Sequence, residues 1–99
     1  HDKYIMVDFY ADWCISCKEM ERFTFSDERV QAKLKDVVLL QVDVTHGTPD
    51  DAALLKRFKL FGPPGILFLD RNGTEIPNIK IIGYLNKDDF LAVLNAVLI

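Results

Sequence analysis

Residues 4–18 decide the fold, and they read YIMVDFYADWCISCK. The first part, residues 4–11, is almost wholly apolar, and apolar side chains occupy both alternating sets of positions. This pattern predicts a strand that is buried on both faces of a sheet. The second part contains the only two cysteines of the chain, Cys14 and Cys17, and opens a polar stretch with helical character.

Cys14 and Cys17 are predicted to form a redox site. Side chains three residues apart at a helix start share one face, roughly 5–6 Å apart at Cβ, which is close to disulfide geometry. Unpaired N–H groups and the helix dipole stabilise a thiolate there, so Cys14 is expected to be the exposed nucleophile. Cys17, one turn further, is expected to be the more buried, resolving thiol. The alternatives are an inert disulfide and half a zinc site, although zinc needs about four ligands and His1 and His46 lie far off in sequence.

Length and composition limit the classes of function. Ninety-nine residues, 49% hydrophobic and 27% charged, describe one globular domain over residues 1–99. A net charge of −3 without a basic patch argues against nucleic acid as a partner. The apolar runs are shorter than the roughly 18 residues of a membrane helix. Closing so short a ring removes little chain entropy, so the cysteine pair is a poor structural cross-link.

The rest of the chain predicts an α/β domain with the element order β-α(α)-β-α-β-β-α. Helix caps, a Gly-Pro-Pro-Gly break and an Asn-Gly hairpin signal set the boundaries. The predicted elements are a strand at residues 4–11, a helix at 14–23, a helix capped by Ser26, a strand at 37–44, a helix capped by Thr48 with a buried stripe of Leu54, Leu55 and Phe58, strands at 66–70 and 79–83, and a helix capped by Asn86.

These elements predict a mixed sheet of about four strands with helices on both faces. Because helices fill the first two connections, the first three strands are expected to be parallel, with right-handed crossovers. The last two strands are expected to form a hairpin.

Asp8 and Glu21 are two acids with open interpretations. Asp8 interrupts the apolar first strand; if buried there, it would have a raised pKa and accept a proton from Cys17. The alternative is an edge position at which Asp8 meets water. Glu21 shares a helix face with both cysteines, where it would add negative charge near the thiols. The alternative is an ordinary solvated glutamate.

Pro63-Pro64 and two aromatic residues mark boundaries between elements. Consecutive prolines between glycines form either a rigid turn or a cis peptide bond. Trp13 and Phe61 are either core residues or part of an apolar rim for a partner. Spacing does not decide between these alternatives.

Taken together, these residues resemble the thioredoxin family. Residues 7–18 are similar to its active-site strand, loop and helix, residues 62–64 to its cis-proline loop, and residues 82–83 to its late glycine loop. The resemblance covers essentially the whole chain, although the family's usual leading strand and helix are not evident. A narrower resemblance is to the C-terminal periplasmic domains of membrane thiol:disulfide interchange proteins, and it is carried by residues 10–14 (YADWC), 17–19 (CKE), 24–27 (TFSD) and 39–41 (LLQ).

The resemblance implies roles for the matching positions. Cys14 would be the nucleophile and Cys17 the resolving thiol, while Asp8 would be the buried acid and Glu21 a second acid. Together the two acids imply an elevated pKa for Cys14. Pro64 would be the cis-proline, and the groove that docks partners would be bordered by Trp13, Pro63, Gly83 and Tyr84.

Four residues depart from the family pattern. The residues between the cysteines are Ile15-Ser16 rather than the frequent Gly-Pro, so the family's reduction potential does not carry over. Pro63 has no N–H, so one of the backbone hydrogen bonds that the family forms with a partner must be missing. Gly65 replaces the more usual threonine.

The resemblance implies a thiol-disulfide oxidoreductase, a protein-disulfide reductase connected with cytochrome c biogenesis. It would relay two electrons from a membrane-embedded domain of the same, longer polypeptide to a periplasmic immunoglobulin-like domain, as a monomer in transient complexes. The expected location is the periplasmic side of a bacterial inner membrane. No cofactor beyond the Cys14–Cys17 disulfide and no metal is expected. The alternatives are a free-standing thioredoxin-like or cytochrome-maturation thiol reductase and, from another class, a binding module with a structural disulfide or a metal-carrying thiol pair.

Overall fold

A computed structural model describes residues 3–98, so His1, which the zinc alternative considered, lies outside the described residues. The predicted order of elements is confirmed. The elements are β1 (Ile5–Tyr10), α1 (Ile15–Glu19), a π-helical turn (Met20–Thr24, the π segment), α2 (Glu28–Leu34), β2 (Val38–Asp43), α3 (Pro49–Arg57), β3 (Gly65–Leu69), β4 (Glu75–Ile82) and α4 (Lys87–Val97).

The four strands form one mixed sheet in the order β2-β1-β3-β4. β1 pairs in parallel with β2 and antiparallel with β3, and β3 and β4 form the predicted antiparallel hairpin. β1 is therefore a central strand, with neighbours on both sides. The predicted fold class, an α/β domain with a mixed sheet of about four strands, is confirmed.

The prediction that the first three strands are all parallel is wrong for β3. Tyr10, at the end of β1, pairs with Asp43 at the end of β2, while Phe9 pairs with Gly65 at the start of β3. The chain therefore leaves β2 and enters β3 at the same end of the sheet. The helix in this connection does not carry the chain to the opposite end, so β3 must run antiparallel to β1. This return brings the proline loop to the end of β1 that leads to Cys14.

Two apolar clusters confirm that helices pack on both faces of the sheet. One cluster joins the sheet to α2, α4 and the π segment, through Met6, Ile66, Phe68, Met20, Val30, Leu34, Phe90 and Leu94. The other joins it to α3, through Val7, Phe9, Leu67 and Leu60, with the predicted α3 stripe of Leu54, Leu55 and Phe58 only partly buried against them. Cys14 belongs to the second cluster.

Local capping confirms two of the three predicted helix starts. Thr48 caps α3 in a reciprocal capping box with Asp51, and Asn86 caps α4. The cap of α2 is Asp27, whose carboxylate accepts hydrogen bonds from the N–H groups of Arg29 and Val30, so the prediction of Ser26 is wrong by one residue. The hydroxyl of Ser26 instead donates to the main-chain oxygen of Arg22.

Candidate active site

Cys14 and Cys17 form a disulfide at the start of α1, with their Cα atoms 5.2 Å apart. Cys14 is the N-cap residue, in an extended backbone conformation. Its Sγ accepts a hydrogen bond of 3.1 Å from the N–H of Cys17, one of the N–H groups that a helix start leaves without an intrahelical partner. This contact would stabilise negative charge on Sγ of Cys14 once the disulfide is reduced.

The expected order of exposure of the two cysteines is wrong in this disulfide form. Cys14 is buried, at 5% exposure, whereas Cys17 is half-buried. The reason is packing: Cys14 ends the turn after β1 and is buried within the apolar cluster under α3, whereas Cys17 packs only partly against that cluster and also lines an open cleft. The N-cap position, rather than exposure, is therefore the feature that distinguishes Cys14.

Asp8 lies in the middle of β1 and is buried, at 9% exposure. Because β1 has neighbours on both sides, the alternative of an edge position that meets water is wrong. Burial, together with the smaller effect of the nearby charge of Glu21, raises the pKa of the Asp8 carboxyl from 3.8 to about 6. A carboxyl with this pKa exchanges its proton readily near neutral pH.

A cleft of about 290 Å³ brings Asp8, Cys17, Glu21 and Pro64 together. Glu21 itself is exposed, as the alternative of a solvated glutamate proposed, but it also faces the cleft that contains Asp8 and Cys17. A second cleft of about 470 Å³ shares Asp8, Glu21 and Gln41 with the first. Two acids and Cys17 therefore line the same cleft, as the sequence predicted.

The loop before Cys14 is anchored by Thr45, two residues after the end of β2. The indole N–H of Trp13 donates to the main-chain oxygen of Thr45 at 2.9 Å, and the N–H of Asp12 donates to the Thr45 hydroxyl oxygen at 2.9 Å. Thr45 in turn donates to Asp43 through its hydroxyl and its N–H, and these hydrogen bonds hold the pKa of Asp43 below its usual value. Trp13 is thus held by its polar edge while its ring stays exposed.

The peptide bond between Pro63 and Pro64 is cis, so the alternative of a simple rigid turn is excluded. Pro64 is buried and Pro63 is half-buried. The main-chain oxygen of Pro64 accepts a hydrogen bond of 3.1 Å from the N–H of Gly83. Gly83 has a φ of +84°, a conformation that side chains disfavour. The two loops expected to flank the disulfide are therefore joined directly.

Large apolar side chains are exposed on either side of Cys14 and of Gly83, and just before the proline loop. Trp13 is 61% exposed and Phe61 is fully exposed, which excludes the core alternative for both. The other exposed members are Ile15, Ile82 and Tyr84. Scattered apolar residues are ordinary on protein surfaces, but a group of them is typical of an interaction site.

Sequence reasoning missed several residues that surround this site. Gln41 lines both clefts and pairs with Asp8 across the strands; its signal was a lone polar residue in an apolar strand. Thr45 and the π-segment residues Met20 and Thr24 gave no such signal. Their contacts join positions 32 to 65 residues apart in sequence, which local patterns do not reveal.

Neither a metal centre nor a membrane helix was found in the part of the chain that the structure describes. Between residues 3 and 98, no three His, Cys, Asp or Glu side chains are grouped as metal ligands would be. Every helix in that range is too short or too polar to cross a membrane.

A mixed sheet with a disulfide at the start of its first helix is typical of thioredoxin-like proteins. Comparison with known proteins agrees with this class. The profile of the thioredoxin-like domain family matches residues 1–98, and the chain belongs to this family. The thiol:disulfide interchange protein DsbD of Ralstonia nicotianae is 57% identical over 94 residues, which are 95% of this chain and 15% of that protein. DsbD of Yersinia enterocolitica is 53% identical over 89 residues, 90% of this chain and 15% of that protein.

Comparison with solved structures assigns the chain to a narrower group within the family. The oxidised C-terminal domain of Neisseria meningitidis DsbD matches with a TM-score of 0.81 and 38% identity, over 96% of this chain and 80% of that one. A thioredoxin from Thermus thermophilus matches with the same TM-score but 27% identity, over 98% and 75% of the two chains. Within the thioredoxin-like family, the chain therefore belongs with the C-terminal domains of DsbD. It spans about 15% of the length of the curated relatives that it matches, and their shared name supports thiol–disulfide interchange as its chemistry.

Proposed function

We propose that this domain is a protein-disulfide reductase that relays two electrons through Cys14 and Cys17. The observation that carries the proposal is the disulfide at the start of α1, with Cys17 in one cleft with Pro64 and the buried acid Asp8. A dithiol in this setting can form a disulfide without rearrangement of the fold. The arrangement supports repeated exchange rather than a static cross-link.

In the proposed cycle, the reduced domain donates electrons in two steps. The Cys14 thiolate attacks one sulfur of a partner's disulfide, so a mixed disulfide forms and the partner's other sulfur leaves as a thiolate. The Cys17 thiol then loses its proton and attacks Sγ of Cys14, which releases the second partner sulfur. Two electrons pass to the partner, whose two thiolates take up protons from the solvent, and the domain is left with the Cys14–Cys17 disulfide.

Asp8 is proposed to accept the proton that Cys17 loses. A carboxyl with a pKa of about 6 is mostly ionised at neutral pH, yet it is far more basic than an ordinary aspartate. Glu21 is proposed to assist by adding negative charge to the same cleft. Both carboxylates would also disfavour a thiolate nearby, so the thiols would stay less reactive until a partner changes their surroundings.

The exposed apolar surface near the disulfide is proposed to bind the partner protein. Trp13, Pro63, Gly83 and Tyr84 border the groove proposed beside the disulfide, and Pro63 can accept a hydrogen bond from a partner through its oxygen but cannot donate one. Such a contact would be small and transient, as a relay requires.

The proposal includes a position in a longer electron path. The DsbD relatives are much longer than this chain, and we propose that the domain is one soluble part of such a membrane-anchored polypeptide in the bacterial inner membrane. A membrane-embedded domain of the same polypeptide would reduce it, and a periplasmic immunoglobulin-like domain would accept its electrons. No metal or organic cofactor enters this chemistry.

Trapping of the mixed disulfide tests the proposal. Reduced Cys17→Ser protein, mixed with a disulfide-containing partner such as insulin, is expected to accumulate a covalent complex on non-reducing gels. The matched variant Cys14→Ser is expected to accumulate none. The opposite pattern would exchange the roles of the two cysteines, and the absence of any complex together with no reversible oxidation would favour a static binding module.

A further inference from the structure

Thr24 makes an unusual contact for a threonine in a helical turn. Its side chain is fully buried, and its hydroxyl donates a hydrogen bond of 2.7 Å to the main-chain oxygen of Leu85, 61 residues away in sequence. A buried hydroxyl that satisfies a loop carbonyl fixes both groups, because loss of the hydroxyl would leave the part-buried carbonyl of Leu85 unpaired.

Met20 holds the same loop residue from the start of the π segment. Its side chain is buried, and its sulfur accepts a hydrogen bond of 3.1 Å from the N–H of Leu85. Both main-chain polar groups of Leu85 are thus bonded to side chains of one helical turn. Turns with π geometry are rare and are frequently found at functional sites.

These contacts connect the redox helix to both loops beside the disulfide. The N–H of Met20 donates to the main-chain oxygen of Cys17. Two residues before Leu85, the N–H of Gly83 donates to the oxygen of Pro64, and Pro64 lines the cleft that contains Cys17. Hydrogen bonds therefore link Cys17 through Met20 to Leu85, and the loop continues from Leu85 to Gly83 and Pro64, which lines the same cleft as Cys17.

We propose that Thr24 is a positioning residue for protein substrates, and that Met20 supports this role by holding the same loop residue, Leu85. By fixing Leu85, Thr24 sets the place of Gly83 and Pro64 relative to the cysteines, so that a docked protein presents its disulfide to Cys14. This inference rests on the proposed function, since it assumes docking on Pro64 and Gly83. A small disulfide that needs no docking would not depend on Thr24.

The test compares two disulfides and two substitutions at one position. The pre-reduced domain is mixed with increasing concentrations of insulin or of oxidised glutathione, and its oxidation is followed by the fluorescence of Trp13. Thr24→Val removes the hydroxyl but keeps the shape, and we expect it to raise the half-saturating insulin concentration about five- to tenfold with little change in the maximal rate. The rate with glutathione should stay near that of the wild type. Thr24→Ser restores the hydroxyl and should restore the insulin response.

Several outcomes would overturn the inference. They are an unchanged insulin response in Thr24→Val, an equal loss with both disulfides, a failure of Thr24→Ser to rescue, or a wild-type domain that reacts with glutathione but not with insulin. If Thr24→Val does not fold, Met20→Leu takes its place, because it keeps the volume and removes the sulfur acceptor; the same split between the two disulfides is expected. A wild-type domain that reacts with neither disulfide contradicts the proposed function itself.

Discussion

Asp8 and Glu21 face the same two clefts from different elements. Asp8 is buried at the centre of β1, whereas Glu21 is exposed on the π segment one turn beyond Cys17. The charge of Glu21 and the burial of Asp8 both raise the pKa of Asp8. The burial of Asp8 and the charge of Glu21 therefore increase the affinity of the Asp8 carboxyl for a proton.

Asp8 is expected to lower the stability of the fold at neutral pH. Its folded pKa, about 6, lies above the unfolded value of 3.8, so the folded state binds the proton more tightly between these pH values. The free energy of unfolding should therefore fall as the pH rises from about 4 to 6, and this loss is complete above pH 6. Asp8→Asn should be more stable than the wild type by up to about 3 kcal/mol at pH 7–8, as measured by urea unfolding.

Asp27 provides a control of opposite sign for that experiment. The hydrogen bond from the Arg29 side chain, together with the N–H groups at the start of α2, holds the pKa of Asp27 below its usual value. Its contribution to stability is therefore present above the unfolded pKa and is lost as the pH falls. Asp27→Ala should destabilise the domain most at neutral pH. A gain for Asp8→Asn that does not depend on pH would contradict the role assigned to the carboxyl.

The two acids are also expected to suppress the reactivity of Cys14. A negative charge nearby disfavours a thiolate, so Asp8→Asn and Glu21→Gln should each shift the alkylation of Cys14 by iodoacetamide to lower pH. The measurement uses the Cys17→Ser background, in which Cys14 is the only thiol. Glu19→Gln is the matched control, because Glu19 lies on the same helix but does not line the cleft, and its profile should not move. Unchanged profiles for both acids would contradict the proposal that their charges suppress the reactivity of Cys14.

Any side chain at position 83 is expected to destabilise the fold. Its φ is +84° and no atom lies within 4 Å of an added Cβ, so the cost of Gly83→Ala is backbone strain alone, about 1–2 kcal/mol. Gly62 also has open space but lacks the positive φ, and Gly62→Ala should change the free energy of unfolding by less than about 1 kcal/mol. Equal effects of the two substitutions in thermal unfolding would show that the loop adopts another conformation in solution.

Much of the fold, and the cysteine pair at the centre of the site, could be predicted because the sequence patterns that indicate them span only a few residues. The apolar run of β1, the spacing of Cys14 and Cys17, and the caps Thr48 and Asn86 each act over a few residues. The direction of β3 could not be read in this way, since a helix between two strands normally implies a parallel crossover. Here the connection returns to the end of the sheet from which it started.

The parts of the site that were missed depend on contacts between distant segments. The burial of Cys14 follows from packing under α3, and the π segment is held by Leu85, which lies more than 60 residues later in sequence. Asp8 was left between two interpretations because a polar residue in an apolar strand fits both an edge and a buried site. Asp8 is buried because β1 lies between two neighbouring strands.

The most direct test of the central claim is a redox titration of the Cys14–Cys17 pair. The domain is equilibrated in glutathione or dithiothreitol buffers, and the fluorescence of Trp13 reports the fraction that is reduced. We expect a reversible two-electron transition at or below roughly −230 mV, in the range of reductants related to thioredoxin. A transition near roughly −120 mV, the value of a strong oxidant, would contradict the account, since the domain would then donate disulfides rather than electrons.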